Sequence, residues 1–229
     1  MRNMRHNSKA PIFAIDRLRM GTDGRGITTL VCFMGCPLRC AYCLNDRCHA
    51  PVYEVDGVTP HKGVMILTPQ GLYDRMKIDN LYFQATGGGI CFGGGEPMQY
   101  PEFIEEFRAI CGDKWKITVE TSLYGASYNV IQRLSNIVDQ WIVDVKSLDF
   151  FIYERYTGRP SHIEQSLACM RTLGIQDKVQ VKVPLIPDYS TEEDVADAIS
   201  SIRRLGFTDI KPITYVKRLS KYPPNTEKP

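Results

Sequence analysis

No stretch of the 229-residue chain approaches the roughly 18 consecutive apolar residues of a membrane span. The opening segment, MRNMRHNSKAPIFAIDRLRM, carries positive charge but lacks the apolar core of a secretory signal. It reads as a polar leader over residues 1–20, and the chain as a cytoplasmic protein without a membrane partner. An excess of one charge is also missing. The 28 Lys and Arg stand against 26 Asp and Glu, a net charge of +2. That balance excludes a strongly basic nucleic-acid binder but leaves room for a local patch. No internal repeat, low-complexity tract or linker interrupts the sequence. Residues 1–229 therefore read as one domain, with a tail over 217–229. Hydrophobic residues at 43% and charged residues at 24% exclude a disordered chain.

Tryptophan is scarce, with two, whereas cysteine is abundant, with eight. Five of the eight fall between Cys32 and Cys48. A disulfide framework belongs to short secreted chains, and this chain is long enough to bury a core without one. Clustered thiols in a reducing compartment bind metal or do chemistry instead. Cys36, Cys40 and Cys43, in the spacing Cys-x3-Cys-x2-Cys, put three thiolates on one tight loop. A structural zinc site wants four ligands, as does an ordinary four-iron cluster, which carries them at other spacings. Three ligands leave one metal position open for a substrate or cofactor. The residues alone allow an open iron–sulfur cluster, a zinc site, or no metal. Cys32 lies in the apolar run ITTLVCF and reads as a buried strand residue. Cys111 and Cys169 fall late in helical segments and read as core.

The hydrophobic pattern predicts strands at 27–33, 90–92, 115–120, 141–145, 179–183 and 210–216. Helices are expected at 69–77, 101–111, 127–137, 161–173 and 191–205. Ser161 is a candidate N-cap, and Thr191 with Asp194 has capping-box spacing. Met20 and Met98 read as packing residues. Pro212 suggests that the last strand lies at an edge. Alternating strands and helices imply parallel βαβ units. Room for six such units, where a closed barrel typically needs about 250 residues, gives an α/β fold: a partial (β/α)6 TIM-like barrel, open on one side. The Cys loop, the Gly94-Gly95-Glu96-Pro97 turn, Glu120-Thr121 and Asp144 with Lys146 all fall at C-terminal strand ends, where barrels carry their reactive groups.

On these residues the chain resembles the radical S-adenosylmethionine (SAM) enzymes: Cys36-x3-Cys40-x2-Cys43 with aromatic Tyr42 before the last Cys, and the Gly-Gly-Glu-Pro turn after the second strand. Within that superfamily it is similar to the glycyl-radical-enzyme activating enzymes of the pyruvate formate-lyase type. Asp23-Gly24-Arg25-Gly26-Ile27, Gly35 to Cys40, the stretch from Thr68 to Pro97, Asp144-Val145-Lys146, Tyr156-Thr157-Gly158 and Val183 to Pro187 carry that likeness. The chain lacks the cysteines for inserted ferredoxin clusters and so resembles the short, single-cluster form. It departs from the family in having Glu120 for Asp, Gly93 for Ser, Lys182 for Arg, and Thr214-Tyr215-Val216 for Pro-Tyr-His.

The resemblance implies a [4Fe–4S] cluster on Cys36, Cys40 and Cys43, with SAM at the open iron. Tyr42, Gly94, Gly95 and Glu96 would contact SAM. Glu120, Thr121, Asp144, Lys146 and Lys182 would contact the cofactor or a monovalent cation. The implied reaction cleaves SAM reductively to a 5′-deoxyadenosyl radical, which takes hydrogen from a glycine of a partner glycyl radical enzyme. Flavodoxin or ferredoxin would supply the electron. An alternative is modification of a peptide or small molecule, such as epimerisation with Cys48 or Cys91 as hydrogen donor. A zinc-stabilised binding module is the remaining, non-catalytic alternative.

Overall fold

The computed structural model describes residues 8–222. The six expected strands are present as β2 (Ile27–Phe33), β4 (Gly89–Gly94), β5 (Lys116–Thr121), β6 (Gln140–Asp144), β7 (Val179–Leu185) and β8 (Asp209–Thr214). Each pairs in parallel with the next. Two further strands, β1 (Ala10–Met20) and β3 (Met65–Leu67), extend the sheet beyond β2 by antiparallel pairing. The order β3-β1-β2-β4-β5-β6-β7-β8 leaves β3 and β8 as separate edges, so the barrel is not closed. Pro212 lies on the β8 edge, paired with Val183, as expected.

The stretch read as a leader is corrected from Ala10 onward by β1, and its first seven residues lie outside the described residues. Its charges mask an apolar run, Pro11 to Ile15, in which Ile12 is fully buried against β2. The charges sit further along the strand and are themselves paired, Arg17 with Asp79 and Arg19 with Asp23. Met20, at the strand's end, is 77% exposed and does not pack, whereas Met98 is buried.

The helices are α1 (Pro69–Met76), α2 (Asn80–Thr86), α3 (Pro101–Cys111), α4 (Tyr128–Ser135), α5 (Phe150–Thr157), α6 (Ile163–Thr172) and α7 (Glu192–Arg204). Neither α2 nor α5 is foreseen by periodicity. The sequence of α5, FFIYERYT, is rich in aromatics of modest helix propensity. Its ends fix it instead: Asp149 accepts from Ile152 N at 2.8 Å, and Gly158 turns left-handed. The N-cap of α6 is His162 rather than Ser161 and makes no side-chain cap bond. The α7 capping box forms as expected.

Alternate strand residues face the helices, including Val31, Phe33, Phe92, Val119, Trp141 and Val181, and they form the main core with Phe103, Phe107 and Trp115. Burial of each large apolar side chain stabilises the fold by about 1.5–3 kcal/mol. The opposite residues face the concave side. There Lys182 of β7 reaches Glu120 of β5, across β6, at 2.6 Å.

Candidate functional site

The segment after β2 leaves the sheet at Gly35 and returns at Cys48, where Gly35 N donates to Cys48 O at 2.7 Å and closes the loop. Its outside is clasped by α5, with Arg39 N on Thr157 O and Ala41 N on Tyr156 O, and by the chain after β8, with Ser220 N on Ala41 O. Tyr42 OH donates to Asp188 Oδ2 at 2.6 Å. The loop is thus held by main-chain bonds and one phenol, and none of the three thiols is used in a disulfide. All eight cysteines are free.

Burial pushes the Cys40 thiol up to about 12 and raises Cys36 as well. Cys43 is drawn down instead, because hydrogen bonds from Cys48 and then His49 outweigh its burial. The three thiols line one cleft of about 350 Å³, within the range of small-molecule sites. Every residue expected to contact the cofactor lines the same cleft: Tyr42, Gly94, Gly95, Glu96, Glu120, Thr121, Asp144, Lys146 and Lys182.

Gly94 and Gly95 form the floor where β4 ends. A Cβ on Gly94 would lie 2.5 Å from Cys32 Cβ, and one on Gly95 would lie 2.1 Å from Gly35 O. The second contact is with backbone, which cannot move aside. Gly95→Ala is therefore expected to dislodge the start of the Cys loop, read as a lower thermal midpoint and less iron bound after reconstitution.

Glu96 is fully buried and accepts from Thr121 Oγ1 (2.5 Å), Ser122 Oγ (2.6 Å), Ser122 N (3.0 Å) and Met98 N (3.2 Å). Burial raises its pKa, and these donors oppose the rise without cancelling it. Asp144, at the end of β6, receives Lys146 Nζ at 2.5 Å and the Tyr215 hydroxyl on Oδ2. Lys146 also donates to Tyr215 Oη at 2.6 Å. The other oxygen, Asp144 Oδ1, is buried without a partner among the described residues. Each carboxylate proposed from sequence as a cation ligand thus faces a lysine ammonium.

Sequence reasoning did not single out Ser122 or Tyr215 as site residues. Tyr215 directly follows β8, so the strand-end rule itself was the available signal. Cys48 and Cys91 do not line the cleft. Both are buried in an apolar cluster with Phe13, Leu30, Cys32 and Met34, against which Cys36 packs, and Cys48 adjoins Cys43.

Among the described residues no three His, Cys, Asp or Glu side chains converge as a single-ion site would require. Zinc would need thiolates about 2.3 Å from one ion, whereas a cluster takes each thiolate on a separate iron. The free thiols, the glycine floor and the orphan Asp144 oxygen fit a three-thiolate cluster with a cofactor on its open side.

From residue 30 to residue 216 the sequence matches the model of the Radical SAM superfamily. It is 29% identical over 196 residues to the pyruvate formate-lyase-activating enzyme of Clostridium pasteurianum, covering 83% of this chain and 76% of that one. It is 27% identical to the choline trimethylamine-lyase activating enzyme of Oleidesulfovibrio alaskensis (81% and 75% covered). Identity to the benzylsuccinate synthase activating enzyme of Thauera aromatica is 25% (77% and 69% covered). In fold it is similar to Streptococcus suis SuiB bound to S-adenosylmethionine, with a TM-score of 0.58 at 12% identity, covering 84% of this chain and 41% of SuiB. It is also similar to anSMEcpe with bound AdoMet, with a TM-score of 0.56 at 17% identity, covering 80% and 49%. The chain thus spans less than half the length of these two solved structures. No helix among the described residues is long and apolar enough to cross a membrane. The thiol loop, the open parallel sheet and the match across most of the sequence agree: the chain belongs to the radical SAM superfamily and is an enzyme of that type.

Proposed function

We propose that this enzyme activates a glycyl radical protein, removing a hydrogen atom from a glycine of that partner. The observation that carries the reading is the cleft itself, where three free thiols face a glycine floor, Glu96 and the orphan oxygen of Asp144. The three relatives named above, each an activating enzyme, support the choice of partner.

Cys36, Cys40 and Cys43 would hold three irons of a [4Fe–4S] cluster as thiolates. When bound, the cluster supplies one electron to the sulfonium of SAM, giving methionine and a 5′-deoxyadenosyl radical. Gly94 and Gly95 bring bare backbone to the cofactor. Glu96, whose two oxygens are taken by Thr121, Ser122 and Met98, would hold the turn that faces the cofactor's amino group. Asp144 Oδ1 offers an acceptor to a hydroxyl, with Lys146 and Tyr215 fixing the carboxylate. Lys182 holds Glu120. A monovalent cation is the other source of positive charge that the sequence allows at these two carboxylates; Lys182 and Lys146 supply that charge from the chain. Leu38 and Tyr156 line the cleft and are buried, which keeps water from a reactive intermediate. Leu44 and Val216, 58% and 65% exposed, stand at its rim, where a protein-sized substrate would enter.

The test is anaerobic reconstitution with iron and sulfide, then SAM and a reductant. The expected products are 5′-deoxyadenosine and a glycyl doublet in the electron paramagnetic resonance (EPR) spectrum of the partner protein. SAM cleavage without that doublet in any candidate partner, or deuterium exchange into a peptide instead, overturns the assignment.

A further inference from the structure

Buried aromatic side chains are sorted by place in this fold. Among the described residues seven phenylalanines are buried, and none of them packs behind the cysteine loop. The three buried tyrosines, Tyr42, Tyr153 and Tyr156, all do. Tyr189 and Tyr215 pack against the same cluster and are half-buried. A phenylalanine would fill nearly the same space without the cost of burying a hydroxyl, so packing alone does not explain the choice. Tyr42 and Tyr215 commit their hydroxyls to Asp188 and Asp144. Tyr156 lies between them. Its ring centroid is 6.1 Å from that of Tyr42, 6.1 Å from that of Tyr215 and 5.1 Å from that of Tyr189. Tyr42, Tyr156 and Tyr215 line the cleft, whereas Tyr189 does not. Tyr189 instead carries the exposed Arg155 guanidinium over its ring at 4.9 Å. The rings thus run unbroken from the cleft to the protein surface.

We propose that these tyrosines are an escape path for an unused radical, entered at Tyr156 and left at Tyr189. The inference rests on the reading of the cleft as the place where SAM is cleaved. With no glycine presented at the mouth, the 5′-deoxyadenosyl radical has only the cleft wall to attack. It takes the phenolic hydrogen atom of Tyr156, because the C–H bond formed is stronger than the O–H bond broken. The products are 5′-deoxyadenosine and a Tyr156 phenoxyl radical. The Tyr42 and Tyr215 hydroxyl hydrogens are already held by carboxylates, which leaves Tyr156 as the point of entry. Tyr189 then returns one electron and one proton to Tyr156 and becomes the phenoxyl in its turn. At the surface a soluble thiol gives Tyr189 a hydrogen atom, and two of the resulting thiyl radicals couple as a disulfide. The protein ends unchanged, and the backbone of the cysteine loop is spared.

The test uses the reconstituted holoenzyme in heavy water, with SAM and a photochemical reductant but with neither partner nor thiol. Phenolic hydrogens exchange with solvent, and carbon-bound ones do not. The 5′-deoxyadenosine formed should therefore carry one deuterium by mass spectrometry. The frozen sample should show a tyrosyl EPR signal that narrows when the protein is grown with ring-deuterated tyrosine. Tyr156→Phe should lose both the label and the signal. In Tyr189→Phe the label should persist, but added thiol should no longer quench the radical as it does in the parent. Tyr153→Phe, buried in the same cluster but outside the cleft lining, should match the parent throughout. Each phenylalanine keeps the packing, so iron content should equal the parent's. Equal label in the parent and Tyr156→Phe overturns the proposal, as does unlabelled 5′-deoxyadenosine from the parent, which would come from a carbon donor. Thiol quenching that survives in Tyr189→Phe overturns it as well. So does loss of label in Tyr153→Phe, since the effect would then be one of packing. A parent that forms no 5′-deoxyadenosine at all refutes the reading of the cleft instead.

Discussion

Cys40→Ala is expected to yield a folded protein that no longer takes up a stable cluster. Anaerobic reconstitution should leave it colourless, with iron and sulfide near background and no visible charge-transfer band. Cys40 is the middle of the three thiols and is buried against Leu38, Tyr42, Tyr153, Tyr156 and Ile186. None of these neighbours can ligate iron through sulfur. Two remaining thiolates would leave a second iron open, and the cluster would be lost to solvent or chelator. The cysteine loop should survive, because the bonds that hold it run through main-chain atoms on either side of Cys40. Far-ultraviolet circular dichroism should therefore be unchanged. Cys111→Ala is the matched control: its thiol is equally buried but lies in the helical core, away from the cleft, and iron content should stay at the parent level. Iron retained in Cys40→Ala would mean that Cys48, hydrogen-bonded to Cys43, had moved in as a ligand.

The parallel strands were legible because each is an apolar run bounded by turn residues. The register then places their ends together without further information, since parallel strands joined by helices must all point the same way. This is why the Cys loop, Glu96, Thr121 and Asp144 could be grouped from sequence alone. β1 was hidden for the opposite reason. Its outer half carries Arg17 and Arg19, whose partners Asp79 and Asp23 are known only after folding. The same holds for α5, whose aromatic residues are explained by Tyr153 and Tyr156 packing under the cysteine loop. Local propensity says little about a helix that is stabilised from outside itself.

Within the site, residue identity was legible but pairing was not. Spacing gave the three thiols and the glycine turn. It could not show that Lys182 crosses β6 to Glu120, because that contact depends on sheet curvature. Nor could it separate Cys91 from the cleft. Cys91 sits one pleat below Gly93 on the same side of β4, and burial rather than sequence distance removes it from reach. That placement keeps the Cys91 thiol out of the cleft.

Lys146→Ala is expected to produce the largest loss of stability among cleft substitutions, about 3–5 kcal/mol, because it removes the ammonium partner of the largely buried Asp144 and leaves a cavity beside it. Burial by itself would push the Lys146 ammonium down, but Asp144 and then Tyr215 more than reverse that, and it is held well above its ordinary value. A lysine whose folded value is raised stabilises the fold at every pH below its unfolded value of about 10.4, and the contribution disappears only as pH rises through the folded value. The difference in urea midpoint between parent and Lys146→Ala should therefore be constant between about pH 6 and pH 9. Removing both charges together, in Asp144→Asn with Lys146→Met, should recover most of the stability, since the Coulombic gain and the desolvation cost of a buried pair nearly cancel. The double variant should nevertheless bind SAM weakly. It keeps the packing but alters the only buried side-chain oxygen of the cleft that lacks a protein partner among the described residues. Stability recovered with SAM binding still lost separates the two roles of the network. If the double variant regains both, the carboxylate is a structural counter-ion to Lys146, and the cofactor is held by the turn that Glu96 fixes and the glycine floor instead.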